Sequence, residues 1–311
     1  MTISAIIPTK FRHQDLLNTL ESLYLQTRLP DEIIIVDDNI ATDVKDVVFS
    51  QFNGLDEFRK NKIILKYIHG HQTTGLTQAR NKGIESNESD IVLFLDDDVV
   101  LERDFVLKMM EIYKRNPDVY GVSGVITNLE MGQIEYIMRK LFERGNFADD
   151  RVFIFTRLDK YKNTEYIPVS KLPGGLTSYK REIFKEFKFD ETFIKTGVGE
   201  DFDFSFRVSR RYKIVITPQA RLIHVESPVA RADFKKIIGD NLYFKYYFFK
   251  KNLDKTIGNY MHFGWLIFGD FLGGLLLTIF RHDTSKLKGV FIFLRKIIKR
   301  EECDFIKIAH S

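Results

Sequence analysis

Short, nearly continuous apolar segments recur roughly every 30 residues in the first part of this sequence, which is the length of one strand-plus-helix unit. They are Ile3–Pro8, Ile33–Val36, Ile63–Ile68, Ile91–Leu95 and Val119–Ile126. Segments of this length that are rich in Ile and Val are typical of strands buried on both faces of a sheet. Their recurrence therefore predicts an α/β fold with a Rossmann-like, mainly parallel sheet flanked by helices.

Segments between and after these apolar runs have the spacing of helices. Leu76–Ile84, Phe105–Tyr113 and Asp201–Arg211 predict helices, and Lys213–Thr217 predicts a further strand. Between residues 150 and 173 we expect irregular structure and an antiparallel pair. In open α/β sheets ligands bind beyond the carboxyl ends of the strands, and the polar clusters of this sequence fall at those ends.

Charge is distributed unevenly along the 311 residues. The net charge is +4, yet residues 231–300 contain 14 Lys and Arg against 5 Asp, so the preceding residues are mildly acidic. We expect a first domain at 1–230 and a basic, aromatic, helical C-terminal region at 231–311 that associates with a membrane. Its basic residues interleave with long apolar runs, which favours an anionic membrane surface over nucleic acid as its partner.

Ile257–Phe280 is apolar over a length that permits a transmembrane span. Asp270 interrupts it, and a central Asp costs about 2.5–3.5 kcal/mol on insertion scales. An interfacial or re-entrant helix, a true span, and an ordinary core or dimer contact therefore stay open. The next segment, Lys286–Arg300, alternates basic and apolar residues in a pattern suited to anionic headgroups.

The N-terminus lacks the basic and apolar pattern of a signal peptide. The sequence has a single cysteine, Cys303, which fits a reducing compartment. We therefore expect the protein at the cytoplasmic face of a membrane, as a peripheral or re-entrant protein or with a single span.

The strongest polar signal is three consecutive acids, Asp96, Asp97 and Asp98, directly after the apolar segment Ile91–Leu95. Adjacent carboxylates repel one another, and a bound divalent cation relieves that repulsion. Carboxylate oxygens are hard ligands that suit Mg²⁺ or Mn²⁺. The alternative is a solvated acidic turn without a ligand.

A second acidic pair, Asp37 and Asp38, follows the segment Ile33–Val36. A carboxylate there could accept hydrogen bonds from a base or a ribose, although a turn or a helix cap also favours these residues. Arg80 lies on a predicted helix beside Asn81 and could hold a phosphate or a carboxylate. Taken alone, it also fits a surface arginine.

Three further features lie in the second half of the first domain. Glu200 and Asp201 begin a predicted helix, where acids serve either as caps or as a general base for a substrate hydroxyl. Gly174 and Gly175 form a loop whose backbone can approach a ligand closely. His224 follows a strand-like segment and is either structural or a metal ligand.

Taken in order, these segments resemble the family 2 glycosyltransferases, which have the type A glycosyltransferase fold. The resemblance covers about residues 1–230 and rests on six short motifs in the expected order. They are Ile6-Ile7-Pro8-Thr9 with Arg12, Val36-Asp37-Asp38, Ala79-Arg80-Asn81 with Gly83, Asp96-Asp97-Asp98, Gly174-Gly175 and Glu200-Asp201. Lys10-Phe11 departs from the pattern of many relatives, an aromatic residue followed by Asn, and this departure bears on the preference for base or donor.

The resemblance implies roles for five residues of the first two motifs. Pro8, Thr9 and Arg12 would line the pocket of a nucleotide-diphosphate sugar. Asp38 would bind the base or the ribose, and Asp37 would support it.

The resemblance also implies a metal site beside the nucleotide. Arg80, Asp96 and Asp97 would adjoin the nucleotide sugar, with Asp96 near the ribose or the metal's outer shell. Asp98 would bind Mg²⁺ or Mn²⁺, and His224 matches a histidine that binds metal in some relatives.

The implied reaction is the transfer of a sugar from a nucleotide-diphosphate sugar to an acceptor hydroxyl with inversion. Asp201 would be the catalytic base, with Glu200 as the second candidate, and Gly174 and Gly175 would line the donor or acceptor loop. The acceptor would be a glycan or a lipid-linked molecule of surface polysaccharide or lipid-linked glycan synthesis. The sequence leaves the donor, the exact acceptor and the oligomeric state open.

Two other functions compete with this interpretation. A sugar nucleotidyltransferase would require a glycine-rich phosphate loop after the first strand, whereas Pro8–Arg12 contains no glycine. A non-catalytic scaffold that binds sugar nucleotides or glycans would need no acids at Asp98 and Asp201, yet both are present.

Overall fold

A computed structural model describes residues 1–39, 45, 48, 63–69, 75–193, 199–225 and 234–298, with side chains in all of them except 234–240 and 281. Cys303, the end of the basic segment Lys286–Arg300 and the predicted domain boundary at residue 230 lie outside the described residues. The division into 1–230 and 231–311 therefore stays a prediction.

Nine strands form a single sheet within the described part of the chain. They are β1 (Ile3–Thr9), β2 (Glu32–Asp37), β3 (Ile64–His69), β4 (Ile91–Leu95), β5 (Val99–Leu101), β6 (Val119–Ile126), β7 (Ile167–Val169), β8 (Leu176–Lys180) and β9 (Lys213–His224). Their order is β3-β2-β1-β4-β8-β6-β9-β5, and β7 pairs with β9.

The sheet is parallel in its first half and mixed in its second. β3, β2, β1 and β4 run parallel to one another, as the recurring apolar segments predict. β8 runs antiparallel to β4 and β6, β6 and β9 are parallel, and β5 and β7 are antiparallel to β9. The α/β class with flanking helices is confirmed, and the antiparallel pairings come mainly from the short strands β5, β7 and β8.

Ten α-helices and two 3-10 helices are described. They are α1 (His13–Tyr24), α2 (Leu76–Ser86), α3 (Phe105–Arg115), α4 (Gln133–Phe142), α5 (Asp150–Phe155), α6 (Leu158–Tyr161), α7 (Glu200–Ser209), α8 (Phe234–Asn252), α9 (Ile257–Arg281) and α10 (Ser285–Ile298), with 3-10 turns at Gly145–Phe147 and Arg181–Lys185. α2 packs against β1 and β2, and α3 packs against β6 and β9. The irregular region expected at 150–173 contains α5, α6 and β7.

Burial explains why the central strands are apolar without alternation. Every residue of β1, β2 and β4 is buried, because helices cover both faces of the sheet there. Their carboxyl ends therefore emerge from the core together, and the polar residues that follow them meet at one edge.

A second, aromatic core joins the C-terminal helices to α7 and to the 3-10 turn at Gly145–Phe147. Phe248 of α8 packs edge-on against Phe202 and Phe206 of α7, and Phe147 packs against Phe249 and Phe263. Within the described residues, Ile257–Phe280 of α9 is the helical segment that is long and apolar enough to cross a membrane. The C-terminal helices are thus packed on the sheet domain through aromatic side chains.

Candidate active site

Two carboxylates and an imidazole meet where β4 and β9 end. β5 follows the acidic segment and pairs with β9, which places Val99 opposite His224. Asp96, Asp98 and His224 each offer a ligand atom, and these atoms lie within 4.8 Å of one another. His224 Nε2 lies 3.0 Å from Asp98 Oδ1. Two hard oxygen ligands and one imidazole nitrogen suit Mn²⁺ or Mg²⁺.

Asp97, the middle acid, is tied to the first strand and the loop after it. The Thr9 hydroxyl donates to Asp97 Oδ2 at 2.7 Å, and Arg12 Nη1 lies 3.1 Å from Asp97 Oδ1 and 3.2 Å from Asp98 Oδ2. Burial raises the pKa of Asp97 to about 6, although the Thr9 hydrogen bond and the Arg12 charge oppose the rise. The positive charge of Arg12 thus offsets the repulsion between the Asp97 and Asp98 carboxylates.

A threonine that the sequence did not single out fixes the backbone of the acidic segment. The Thr19 hydroxyl on α1 lies 2.9 Å from the Asp97 carbonyl and 2.8 Å from the Val99 carbonyl, and it accepts the Val99 N–H at 3.1 Å. Thr19 is fully buried on α1, whose other buried residues are four leucines and Ser22. In the sequence, the signal for this role was the threonine among the leucines of a predicted helix.

Asp37 and Asp38, the second acidic pair, make different contacts. Asp37 accepts hydrogen bonds from the Tyr67 hydroxyl at 2.6 Å and from the Asn39 N–H at 2.9 Å, so it braces the strand ends. Asp38 donates its backbone N–H to the Thr9 carbonyl at 3.0 Å, and its carboxylate pairs with Lys10 at 2.8 Å.

Pro8 lies one residue before Thr9 on β1, where it pairs with Val36 of β2. Pro8, Thr9, Arg12 and Asp38 are thus neighbours at one sheet edge, as their proposed place in one nucleotide pocket requires.

Arg80 connects the group of Asp96, Asp98 and His224 to the acids at the start of α7, Glu200 and Asp201. It is a fully buried side chain on α2, and its guanidinium lies 3.0 Å from Glu200 Oε1 and 3.5 Å from Asp96 Oδ1. A Cβ atom at Gly174 would lie 2.6 Å from the guanidinium, and one at Gly175 would overlap the Asp96 carboxylate. Both glycines are therefore needed so that the loop before β8 can approach these charged groups.

Glu200 and Asp201 differ in their surroundings although they are adjacent. Burial and the nearby Asp201 charge raise the pKa of Glu200 to about 8, against the opposing effect of Arg80. The Glu200 side chain is 4% exposed, whereas that of Asp201 is 20% exposed. Asp201 Oδ2 accepts a hydrogen bond from Arg151 Nη1 at 2.6 Å.

Arg151 and Asp149 form a buried support that the sequence did not predict. Arg151 donates to both carboxylate oxygens of Asp149 at 2.8 Å and to the Leu172 carbonyl at 2.9 Å. Burial opposes ionisation of Asp149, but the Arg151 charge outweighs it and lowers the pKa to about 2. The pair holds the Asp201 carboxylate in a fixed position.

Most of the residues singled out from the sequence belong to two chains of polar contacts that meet at the acidic segment Asp96-Asp97-Asp98. Hydrogen bonds and ion pairs link Asp38 through Thr9 to Asp97, and Asp96 through Arg80 to Glu200. Asp201 follows Glu200 directly on α7. These contacts relate the segment of Asp98 to Asp38 through Thr9, and to Asp201 through Arg80 and Glu200. That all three carboxylates line one cleft stays a prediction.

Comparison with known proteins yields both a family and a fold. A family model described as "Glycosyl transferase family 2" matches residues 4–188, which is more than half of the chain. A glucosyl-dolichyl phosphate glucuronosyltransferase of Haloferax volcanii is 26% identical over 189 residues, 60% of this chain and 55% of that protein. YwdF of Bacillus subtilis, described as an uncharacterized glycosyltransferase, is 25% identical over 231 residues, 73% of this chain and 75% of its own length.

The fold is shared with solved glycosyltransferases. A mannosyltransferase from Pyrobaculum calidifontis in complex with GDP-Man and Mn²⁺ superimposes with a TM-score of 0.58 at 14% identity. The match covers 96% of this chain and 88% of the mannosyltransferase. This likeness confirms the predicted fold class, while the chain spans little more than half of the archaeal relative's length.

Proposed function

This chain belongs to glycosyltransferase family 2, and on that premise we propose that it is a metal-dependent, inverting glycosyltransferase with residues 1–230 as its catalytic domain. It moves a sugar from a nucleotide-diphosphate sugar to an acceptor hydroxyl. The observation that carries the proposal is the junction of the Asp96, Asp98 and His224 group with Glu200 and Asp201 through one buried arginine, Arg80.

Asp98 and His224, with Asp96 beside them, would hold Mg²⁺ or Mn²⁺. When bound, the cation supplies positive charge that stabilises the diphosphate leaving group. The mannosyltransferase of similar fold was solved with Mn²⁺, which supports this assignment. On the nucleotide side, Pro8, Thr9 and Arg12 line the pocket.

The other residues of the network bind and position the donor. Asp38 accepts hydrogen bonds from the base or ribose, and Asp37 braces its strand end against Tyr67. Arg80 contributes a fixed positive charge beside the nucleotide sugar. Gly174 and Gly175 let the backbone of the donor or acceptor loop lie close to it.

Asp201 is the group that removes the proton of the acceptor hydroxyl. Its carboxylate is more accessible than that of Glu200, which lies buried against Arg80. As the proton moves to Asp201, the acceptor oxygen forms its bond to the anomeric carbon and the bond to the diphosphate breaks on the opposite face. A single displacement of this kind inverts the anomeric centre.

The acceptor is a glycan or a lipid-linked molecule at the cytoplasmic face of a membrane. Two observations support this setting: the relative from Haloferax volcanii is a glucosyl-dolichyl phosphate glucuronosyltransferase, and α9 carries a long apolar segment. Surface polysaccharide or lipid-linked glycan synthesis is the process that we propose.

The experiment that tests the proposal is a donor screen with the full chain, with MnCl₂ and with EDTA, scored by nucleotide release. We expect release of the nucleotide from at least one UDP- or GDP-sugar with the metal and a loss of that release with EDTA.

Asp201→Asn should lower the rate of transfer by about 10²–10⁴-fold while donor binding persists, because a general base contributes this much to rate. Asp98→Asn should instead weaken Mn²⁺ binding.

Three outcomes would contradict parts of the proposal. An equal loss of donor binding and transfer in Asp201→Asn would assign that residue a structural role. Synthesis of a nucleotide sugar from a nucleoside triphosphate and a sugar phosphate would favour a nucleotidyltransferase. Binding of a donor with no turnover under any condition would favour a scaffold.

A further inference from the structure

α9 presents a continuous apolar stripe to the solvent. Its side chains recur at helical spacing over about 33 Å of helix, and each is between 37% and 80% exposed. The stripe consists of Ile257, Met261, Trp265, Phe268, Leu275 and Ile279. No charged residue interrupts it, so this face of α9 matches a partner that is apolar along its entire length.

A helix of the first domain extends this surface. α4 exposes Ile134, Ile137 and Leu141 along one face. The Trp265 indole N–H donates to the Leu141 carbonyl at 2.9 Å, and the Phe142 ring lies 4.9 Å from the Trp265 ring. Single exposed apolar residues are ordinary on protein surfaces, but a contiguous patch on two packed helices marks an interaction site.

The opposite side of α9 is charged at its centre. Asp270 pairs with Lys286 at 3.0 Å and lies 3.9 Å from Lys245, which also pairs with Glu143 at 3.3 Å. If α9 crossed a bilayer, these four charges would lie near the middle of the hydrocarbon, where charged side chains are costly. When this side of α9 packs against the protein instead, the two acidic and two basic side chains neutralise one another.

The neighbours of α9 also argue against a span. α10 has 14 residues and is about 21 Å long, which is shorter than the roughly 30 Å of a hydrocarbon core. α4 has 10 residues and carries Glu135, Arg139 and Lys140. Both helices pack along α9, so a spanning α9 would draw them into lipid together with their charges.

Exposed basic residues lie on the helices of the apolar surface or next to them in the chain. Lys140 and Arg144 lie at and beyond the end of α4, Lys255 precedes α9, and Lys288 and Arg295 lie on α10 beside exposed Phe291 and Ile292. Basic residues beside an apolar face complement anionic lipid headgroups, each contributing about 1 kcal/mol near such a surface.

We propose that α4, α9 and α10 form a lipid-docking face, on which the protein rests at an anionic membrane surface with α9 in the plane of the membrane. The apolar stripes enter the boundary between headgroups and acyl chains, and the Asp270 cluster faces the protein. The inference rests on the proposed function in that an enzyme with a lipid-linked acceptor works at such a surface.

The depth of α9 distinguishes this arrangement from a span. In a Trp265→Phe background, which removes the one tryptophan of the chain, Phe268→Trp and Ile279→Trp each place a single fluorophore on the stripe. The two positions are about 16 Å apart along the helix. Vesicles with lipids brominated at different acyl depths then report the depth of each tryptophan.

An in-plane helix places both tryptophans at the same depth, so the same shallow bromine position should quench both most strongly. A spanning helix places position 268 near the midplane and position 279 near a surface. Strongest quenching by deep bromines for Phe268→Trp and by shallow ones for Ile279→Trp would overturn the proposal.

The contribution of α4 is tested by vesicle flotation of the full chain. The double variant Ile134→Asp/Ile137→Asp should bind phosphatidylcholine–phosphatidylglycerol vesicles at least about 10-fold more weakly than the unaltered chain, because two apolar anchors are lost and two negative charges added. Ile64→Asp, at a strand residue that is 52% exposed, serves as the matched control and should bind normally.

Equal binding by all three proteins would refute docking through α4. Normal binding to vesicles of phosphatidylcholine alone would refute the role of the basic residues. A dimer that forms through Phe268 and leaves the chain unable to bind vesicles would identify a second copy as the occupant. Nucleotide release in solution is measured in parallel. A variant that releases nucleotide but does not bind vesicles contradicts or supports only the docking proposal, and loss of nucleotide release concerns the enzyme assignment.

Discussion

At the scale of single residues, the site combines predictable and unpredictable parts. The acids at positions 37, 38 and 96–98 could be found from the sequence, because polar residues directly after apolar strands must emerge at the sheet edge. Arg151 could not be found in this way. Its guanidinium donates four hydrogen bonds, to Asp149, Asp201 and the Leu172 carbonyl, but the sequence Asp149-Asp150-Arg151 resembles any charged surface segment.

Asp149→Asn should destabilise the protein by about 3–5 kcal/mol at neutral pH, because it leaves Arg151 with one buried partner fewer. The pKa of Asp149 is lowered to about 2, so its charge stabilises the fold above its ordinary pKa of 3.8 and loses that effect as the pH falls toward 2. Urea denaturation from pH 7 to about pH 3 should therefore show the difference shrinking.

The exposed neighbour Asp150 provides the control for this measurement. Asp150→Asn should change the unfolding free energy by less than about 0.5 kcal/mol. If the two variants behave alike, or if the loss in Asp149→Asn is independent of pH, the ion pair does not stabilise the fold as we infer.

At the scale of elements, strands made of a continuous apolar segment were predictable, and strands without such a segment were not. β1, β2, β4 and β6 coincide with apolar segments, because burial on both faces leaves a local pattern. β5, β7 and β8 have three to five residues, and their partners rather than their own sequences define them. β9 continues to His224, seven residues beyond the predicted strand, because β5 pairs with its end.

Gly175→Ala should lower Mn²⁺ affinity by about 10–100-fold, a typical cost of displacing a group that supports a metal site. The added Cβ would overlap the Asp96 carboxylate and force it to move. Gly132→Ala is the matched control, since a Cβ there meets nothing within 4 Å. Mn²⁺ binding measured by calorimetry should be unchanged in the control, and unchanged binding in both would remove Asp96 from the metal group.

At the scale of the whole molecule, the C-terminal helices support the helix that carries the proposed base. Lys251 pairs with Asp203 of α7 at 3.0 Å, and Asn252 donates to the same carboxylate at 2.8 Å. Phe244 lies against Gly199, the residue before Glu200. The sequence predicted aromatic helices near a membrane, but contacts between residues about fifty positions apart leave no local pattern.

Lys251→Met should lower the unfolding free energy by about 1–3 kcal/mol, because the buried Asp203 carboxylate loses a partner. It should also slow transfer while Mn²⁺ binding stays normal, since α7 rather than the metal group is disturbed. Lys250→Met, at the exposed neighbour on α8, should leave both quantities unchanged. Equal effects of the two variants on rate and stability would show that α8 does not position α7.

The place of β4 in the sheet has a consequence for the growing polypeptide. β4 lies between β1, made before it, and β8, made much later. Until β8 is synthesised, β4 can expose a row of unpaired backbone groups on an apolar strand, and such edges invite pairing between chains. The three acids that follow β4 repel a neighbouring nascent chain, as charged flanking residues do in other aggregation-prone strands. We therefore expect the carboxylates of the proposed cation site to serve the polypeptide during synthesis as well, by opposing pairing of exposed β4 strands.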